Sequence, residues 1–258
     1  MIMISHLLAV ILVALSSGRV ASFTSPSPPL QTHVRSKSIS DDSPARLRMA
    51  NDINLPRDDD AGKVRYLGSG EDAIIRPGVV LVAPNHEYDH FLKNSAVFVY
   101  AIGSDDETTV VRGVVLDHPT AFTIGEMSPN VMGVISNNQL YRGGYDGSDT
   151  AMLLHSAGGD GPVKSDKMIG SSGIYEGGIV SAMESVDSGL IDSSRCKFFF
   201  NYMQFTEKEL DDMFAGTEDG DQWVSLEIPP EYVLDSDYDR GELWSKLRNN
   251  IREFRKQQ

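Results

Sequence analysis

The chain has 258 residues, 40% of them hydrophobic, and 37 acidic against 23 basic side chains, for a formal charge of −14. This length allows one or two domains; the apolar content suits a packed core and excludes a polytopic membrane protein, and the acidic excess disfavours nucleic acid as a partner unless cations are concentrated locally. Cys196 is the single cysteine, which excludes an intrachain disulfide and leaves no second thiol to resolve an oxidised one.

Leu7–Leu15 is an unbroken apolar run, too short to span a bilayer and suited to the core of a signal peptide. Small residues follow, and cleavage after Ser22 leaves Phe23 first. Residues 23–40 then carry Ser, Thr and Pro with Arg35 and Lys37 and no acid, the composition of a transit peptide. Residues 1–22 therefore read as a signal peptide and 23–50 as a transit peptide. This pair, with phenylalanine at the junction, resembles the bipartite plastid presequence of diatoms and related algae, and predicts delivery to the chloroplast stroma with no transmembrane span in the mature protein. Residues 51–72, with Pro56 and the run Arg57-Asp58-Asp59-Asp60, read as linker, and the fold is expected to begin between Lys63 and Ile74.

Val79–Ala83, introduced by Pro77-Gly78 and stopped by Pro84, predicts a buried strand. Ser95–Ile102 predicts a second and Val110–Leu116 a third, joined across the turn Gly103–Glu107 as an antiparallel pair. Gln139–Tyr141, Ala151–His155 and Lys197–Tyr202 read as further strands. Helices are predicted over Ile179–Ser188, from Thr206 with a Glu209 capping box and a stop at Gly216, and from Asp239 with Glu242. The last has an apolar stripe of Leu243, Trp244, Leu247, Ile251 and Phe254, opposed by Lys246, Arg248, Arg252, Arg255 and Lys256. That stripe is expected to pack on the domain rather than on a membrane surface. Strands and helices mixed without strict alternation indicate an α+β fold.

The sharpest enzyme-like signal is His86-Glu87-Tyr88-Asp89-His90, a literal H-E-x-x-H. On a helix this spacing sets both imidazoles on one face for zinc, with the glutamate as general base. Pro84 and Asp89 argue against such a helix, and only Glu107 and Glu126 offer a third ligand. The glycine clusters at 143–144, 158–161, 170–173 and 177–178 contain neither a dinucleotide fingerprint nor a P-loop, and read as turns. Ser171 or Ser172 with His155 is the remaining conceivable hydrolytic pair. No cofactor motif is present, so neither a cofactor nor a metal is implied.

A set of ordered blocks runs through the chain: Pro77–Ala83, Asp89-His90-Phe91, Arg112–Pro119, Arg142-Gly143-Gly144, Leu154-His155 and Gly173-Ile174-Tyr175. Together they resemble the AlgH-like family of bacterial and plastid proteins over roughly residues 74–235. The family's "GLVLNRP" appears as Gly113–Pro119 with Asn-Arg replaced by Asp117-His118, and its "F-GGP" turn as Tyr141–Tyr145 with the proline lost. In the last block Phe205 stands where relatives carry a core tryptophan, and Trp223 matches a later one. The resemblance implies a mixed, largely antiparallel sheet curled towards a pseudo-barrel and flanked by helices, in a domain over 73–235 followed by a C-terminal helix over 236–258. It implies no catalytic residues. Bacterial relatives bear a transcriptional-regulator label, which the acidic charge here does not support. The expected function is binding of a protein partner without catalysis, through Asp89, Arg112, Asp117, His118, Arg142 and His155 at the motif turns; the alternative is a metal-dependent hydrolase using His86, Glu87 and His90.

Overall fold

In the computed structural model, which describes residues 63–105, 108–165, 167–215 and 221–257, the apolar runs become the central strands of a mixed α+β fold. The presequence segments, the linker up to residue 62, the turn residues 106–107 and the helix stop at Gly216 lie outside the described residues. The strands are β1 Arg65–Ser69, β2 Val80–Val82, β3 Ala96–Asp105, β4 Thr108–Val115, β5 Pro119–Thr123, β6 Gln139–Arg142, β7 Asp146–His155, β8 Tyr175–Glu176, β9 Cys196–Thr206 and β10 Val224–Glu227. The helices are α1 Ile124–Met127, α2 Ile179–Asp187, α3 Glu207–Phe214, α4 Pro230–Leu234 and α5 Glu242–Gln257.

One ten-stranded sheet runs β1-β10-β2-β3-β4-β9-β6-β5, with β7 also paired to β9 and β8 to β7. Every pairing is antiparallel except β6 with β9. The predicted β3–β4 hairpin is present; β3 runs into the predicted turn and β4 begins at Thr108, two residues before its predicted start, with Asp105 opposite Thr108. β1 forms inside the stretch read as linker, where only a short apolar segment, Tyr66-Leu67, signals it.

The period-2 alternation of β2 and β3 divides their side chains between two cores. Val80, Val82, Ala96 and Phe98 join Leu226, Val233, Leu243, Leu247 and Ile251, so the stripe of α5 packs on the domain as expected. Val79, Leu81, Val97 and Val99 face the other way, against Phe205, Leu210, Phe214 and Trp223. Phe205 and Trp223 are both buried aromatics. Strands covered on both faces read as unbroken apolar runs, which is why they were visible in the sequence. A third cluster, with Ile124, Ile135, Leu153, Ala182 and Phe198, lies under α1 and α2.

Arg248 departs from the expected solvent-facing side of α5: it is 5% exposed and paired with Asp221. α3 opens as predicted, with the Thr206 hydroxyl accepting from the Glu209 amide and the Glu209 carboxylate accepting from the Thr206 amide at 2.8 Å. Thr206→Ala is expected to cost about 1 kcal/mol, read as a shift in the urea midpoint at constant m-value.

Candidate functional site

Three chain segments meet at the ends of β4 and β6. β4 leaves the sheet through Leu116-Asp117-His118 and enters β5 at Pro119, and the Arg142 amide donates to the His118 carbonyl at 2.8 Å. β6 ends in Arg142 and turns through Gly143-Gly144 to Tyr145. The third segment is the loop after β2, where the Asp89 carboxylate accepts from the amides of Phe91 and Leu92 at 2.8 and 2.9 Å. That local turn, of the kind short carboxylates favour, presents the Phe91 ring.

Phe91 meets the His118 ring edge-on at 4.5 Å and the Tyr145 ring at 4.6 Å. The Arg142 guanidinium lies over both Phe91 and Tyr145, at 5.3 and 5.4 Å from their centroids. Arg240, in the connection before α5, donates to the His90 carbonyl at 3.3 Å. His90, Phe91, His118, Thr120, Arg142, Tyr145 and Arg240 line a cleft of about 320 Å³. Burial pushes His118 down to about 4, and the nearby Arg240, Arg142 and His90 push the same way, so its ring is neutral at neutral pH. Asp89 stands close enough to Tyr145 to add, after burial, to the rise in its phenol pKa.

Asp117 lies under this cleft, fully buried. Its Oδ2 accepts from the amides of Gly241 at 3.0 Å and Trp244 at 3.5 Å, capping the start of α5, and its Oδ1 has no hydrogen-bond partner among the described residues. Burial raises its carboxyl to about 6, against the pull of the Trp244 amide and of Lys197. Lys197 is buried in β9, donates to the Asp235 carbonyl and sits 4.1 Å from the centroid of the Tyr141 ring. Burial lowers its ammonium to about 7, with Asp117 and Asp235 opposing. Tyr141 in turn donates to the Ser236 carbonyl at 2.9 Å. These groups fasten the α4–α5 connection to the sheet.

Of the expected residues, His118 and Arg142 line the cleft, Asp89 and Asp117 hold its supporting turns without lining it, and two lie elsewhere. Arg112 donates to Gln204 at 2.8 Å and lies 5.8 Å from the Tyr202 centroid. His155 is buried at the end of β7, stacked on Tyr175 at 5.9 Å, with its Nδ1 accepting from the Ala157 amide at 3.1 Å. Neither lines the cleft. Sequence reasoning missed Arg240, Tyr145 and Lys197. Tyr145 carried a signal as the last residue of the Tyr141–Tyr145 turn, and Lys197 as a cation inside the apolar run from Cys196 to Phe200.

The arrangement supplies donors and aromatic faces, and offers no activated nucleophile. The Ser95 hydroxyl approaches His118 Nε2 at 3.5 Å but is fully buried and donates to the Phe91 carbonyl at 2.9 Å. The Ser172 hydroxyl is spent within its own turn, donating to Ile169 at 2.7 Å. The H-E-x-x-H segment lies in turns and loop between β2 and β3, so the helical register that would align its imidazoles is absent. His86 and Glu87 line one cleft beside Trp223 while His90 lines the other. Glu87 accepts from the Trp223 indole N–H and the Asp89 amide, both at 2.9 Å. Of the third-ligand candidates, Glu107 is outside the described residues and Glu126 closes the capping box of α1.

Among the described residues, no helix is long and apolar enough to cross a membrane. No curated protein matches the chain. Protein DIP2367 of Corynebacterium diphtheriae, known from a crystal structure, is similar in fold at 16% identity and a TM-score of 0.50, over 68% of this chain and 87% of that one. The AlgH protein of Pseudomonas aeruginosa, known from a solution structure, aligns at 14% identity and a TM-score of 0.46, over 67% and 87% of the two chains. The AlgH-like family model matches residues 80–253, from β2 through most of α5, and the chain belongs to the AlgH-like family.

Proposed function

We propose that this AlgH-like chain is a plastid protein that acts by binding a protein partner at the cleft of Arg142 and Arg240, without catalysing a reaction. The observation that carries this reading is the convergence of motif residues from three separate segments on one opening whose arginine donors are largely unspent. The neutral His118 and the buried Ser95 supply no nucleophile there. The stromal address rests on the composition of residues 1–50, and the curl of the sheet towards a pseudo-barrel on the family resemblance.

Tagged full-length protein recovered from algal plastids is expected to bring down a stoichiometric partner, and Arg142→Gln is expected to lose it with an unchanged melting temperature. Recovery of the wild-type chain alone would contradict the binding reading. Residues 1–50 fused to a fluorescent reporter are expected to deliver it to the stroma, and secretion of that reporter would overturn the address.

A further inference from the structure

Arginine is the residue whose flat, five-donor fork matches a carboxylate or a phosphate. In a chain where acids outnumber bases, most arginines of the fold have found a partner: Arg65 and Arg76 pair with Glu227, Arg248 with Asp221, Arg112 with Gln204 and Arg195 with Ser156. Arg142 is the exception inside a cleft. Its guanidinium is held by its π face on Phe91 and Tyr145, and no hydrogen bond or ion pair among the described residues uses its N–H edge. Stacking of this kind fixes the plane of the fork and leaves the in-plane donors available. Arg240, across the same cleft, commits one N–H to the His90 carbonyl and is likewise without a carboxylate.

The nearby carboxylates form no ion pair with these arginines among the described residues, and each commits one oxygen to backbone amides. Asp117 is directed into the first amides of α5, and Asp89 into the amides of Phe91 and Leu92. Charges acting on His118, in the wall of the cleft, come from Arg240, Arg142 and His90, while at Tyr145 the same two arginines are opposed by Asp89. A volume of about 320 Å³ lies at the small end of ligand cavities, room for one charged group on a short stem rather than for a nucleotide.

We infer that the cleft is an oxyanion-binding site, in which Arg142 and Arg240 close on a carboxylate or phosphate group while Phe91 and Tyr145 support the apolar stem that carries it. This rests on the binding reading above and names its chemistry. The group belongs either to a free small anion or to an acidic or phosphorylated side chain of a partner; the shared feature is two or three oxygens facing two guanidinium forks.

The test is titration of the full-length chain, labelled with 15N-arginine, with sodium phosphate, with sodium acetate and with sodium chloride at matched ionic strength. The Nε–Hε resonances of Arg142 and Arg240 are expected to shift together and saturably with phosphate, acetate or both, and not with chloride. Saturation with phosphate alone would assign the site to a phosphate, and with acetate alone to a carboxylate. Arg142→Gln and, separately, Arg240→Gln are expected to raise the apparent Kd about tenfold or more, the loss of a charge-assisted pair. Shifts that never saturate, or that follow chloride, would overturn the site, as would a saturating response unchanged in both variants. If neither anion binds but partner capture still depends on Arg142, the oxyanion inference falls and the binding reading stands. If an anion saturates the arginines but the protein is recovered alone, the protein partner falls and the site stands.

Discussion

Gly144→Ala is expected to lower stability by at least about 3 kcal/mol, the upper end of what overpacking costs, and the melting temperature by about 6–12 °C for a domain of this size. A Cβ at Gly144 would lie 2.0 Å from the carbonyl carbon and oxygen of Tyr202 and 2.4 Å from the Met203 amide nitrogen. These are backbone atoms of β9, a strand held by β4, β6 and β7 together, so they cannot withdraw without breaking ladder hydrogen bonds. Gly143 is pinned beside it: its amide donates to Phe200 at 2.8 Å and its carbonyl accepts from Val115 at 2.9 Å. The Gly-Gly pair of the family motif is therefore a point of close backbone approach that fixes where Arg142 and Tyr145 emerge. Gly103→Ala, where a Cβ meets nothing within 4 Å, is the control and is expected to be neutral. Equal melting temperatures for the two variants would contradict this account of the turn.

Lys197→Met is expected to destabilise the fold by about 1–3 kcal/mol at neutral pH, the cost of leaving a buried acceptor unsatisfied. Methionine fills the space between Tyr141 and Phe199 but gives the Asp235 carbonyl no donor and removes the charge that holds the Asp117 carboxyl down. The pH dependence follows from signs. Asp117 already has a folded carboxyl raised to about 6 by burial, above the ordinary 3.8, and Lys197 is a group that holds it down. Without the lysine that value rises further. A folded carboxyl raised above its unfolded value binds a proton that the unfolded chain has lost, so stability falls as pH rises through that interval. The variant's loss is therefore expected to be smaller near pH 5 than near pH 8, by urea denaturation at each pH. Asp117→Asn added to Lys197→Met removes the stranded charge and is expected to recover part of the loss. In the wild type, Lys197 acts in the opposite sense: its folded ammonium is lowered to about 7, so stability gains as pH climbs from there towards the ordinary 10.5. A flat pH response in the variant would detach Lys197 from Asp117.

What the sequence made legible follows from what shapes apolar patterns. β2, β3, β4, β6, β7 and β9 are covered by packing and appear as apolar runs; β3, β4 and β7 extend into polar residues beyond the predicted ends, where pairing maintains the strand, while β9 extends through the buried Met203 and Phe205. β5, β8 and β10 have no such run: β5 opens on Pro119, β8 is two residues long, and β10 interrupts its four residues with the buried Ser225. At the cleft, the ordered blocks led to His118 and Arg142, which line it, and to Asp89 and Asp117, which hold the turns behind it. Arg112 and His155 belong to the same blocks but lie on strands whose register carries them elsewhere. Arg240 could not be read, since its role depends on α5 being seated by the Asp117 carboxylate more than a hundred residues away in sequence. The H-E-x-x-H pattern misleads for a local reason: the Asp89 and Glu87 carboxylates cap backbone amides and hold a turn where a zinc-binding helix would be needed.

The most direct measurement is a hydrogen-exchange footprint of the full-length chain with its captured partner against the chain alone. The cleft as binding surface predicts new protection confined to residues 88–92, 118–120, 142–145 and 240–244, lost in Arg142→Gln. Protection lying instead along α2 or the exposed edge of β7, with these four segments exchanging as in the free chain, would contradict it.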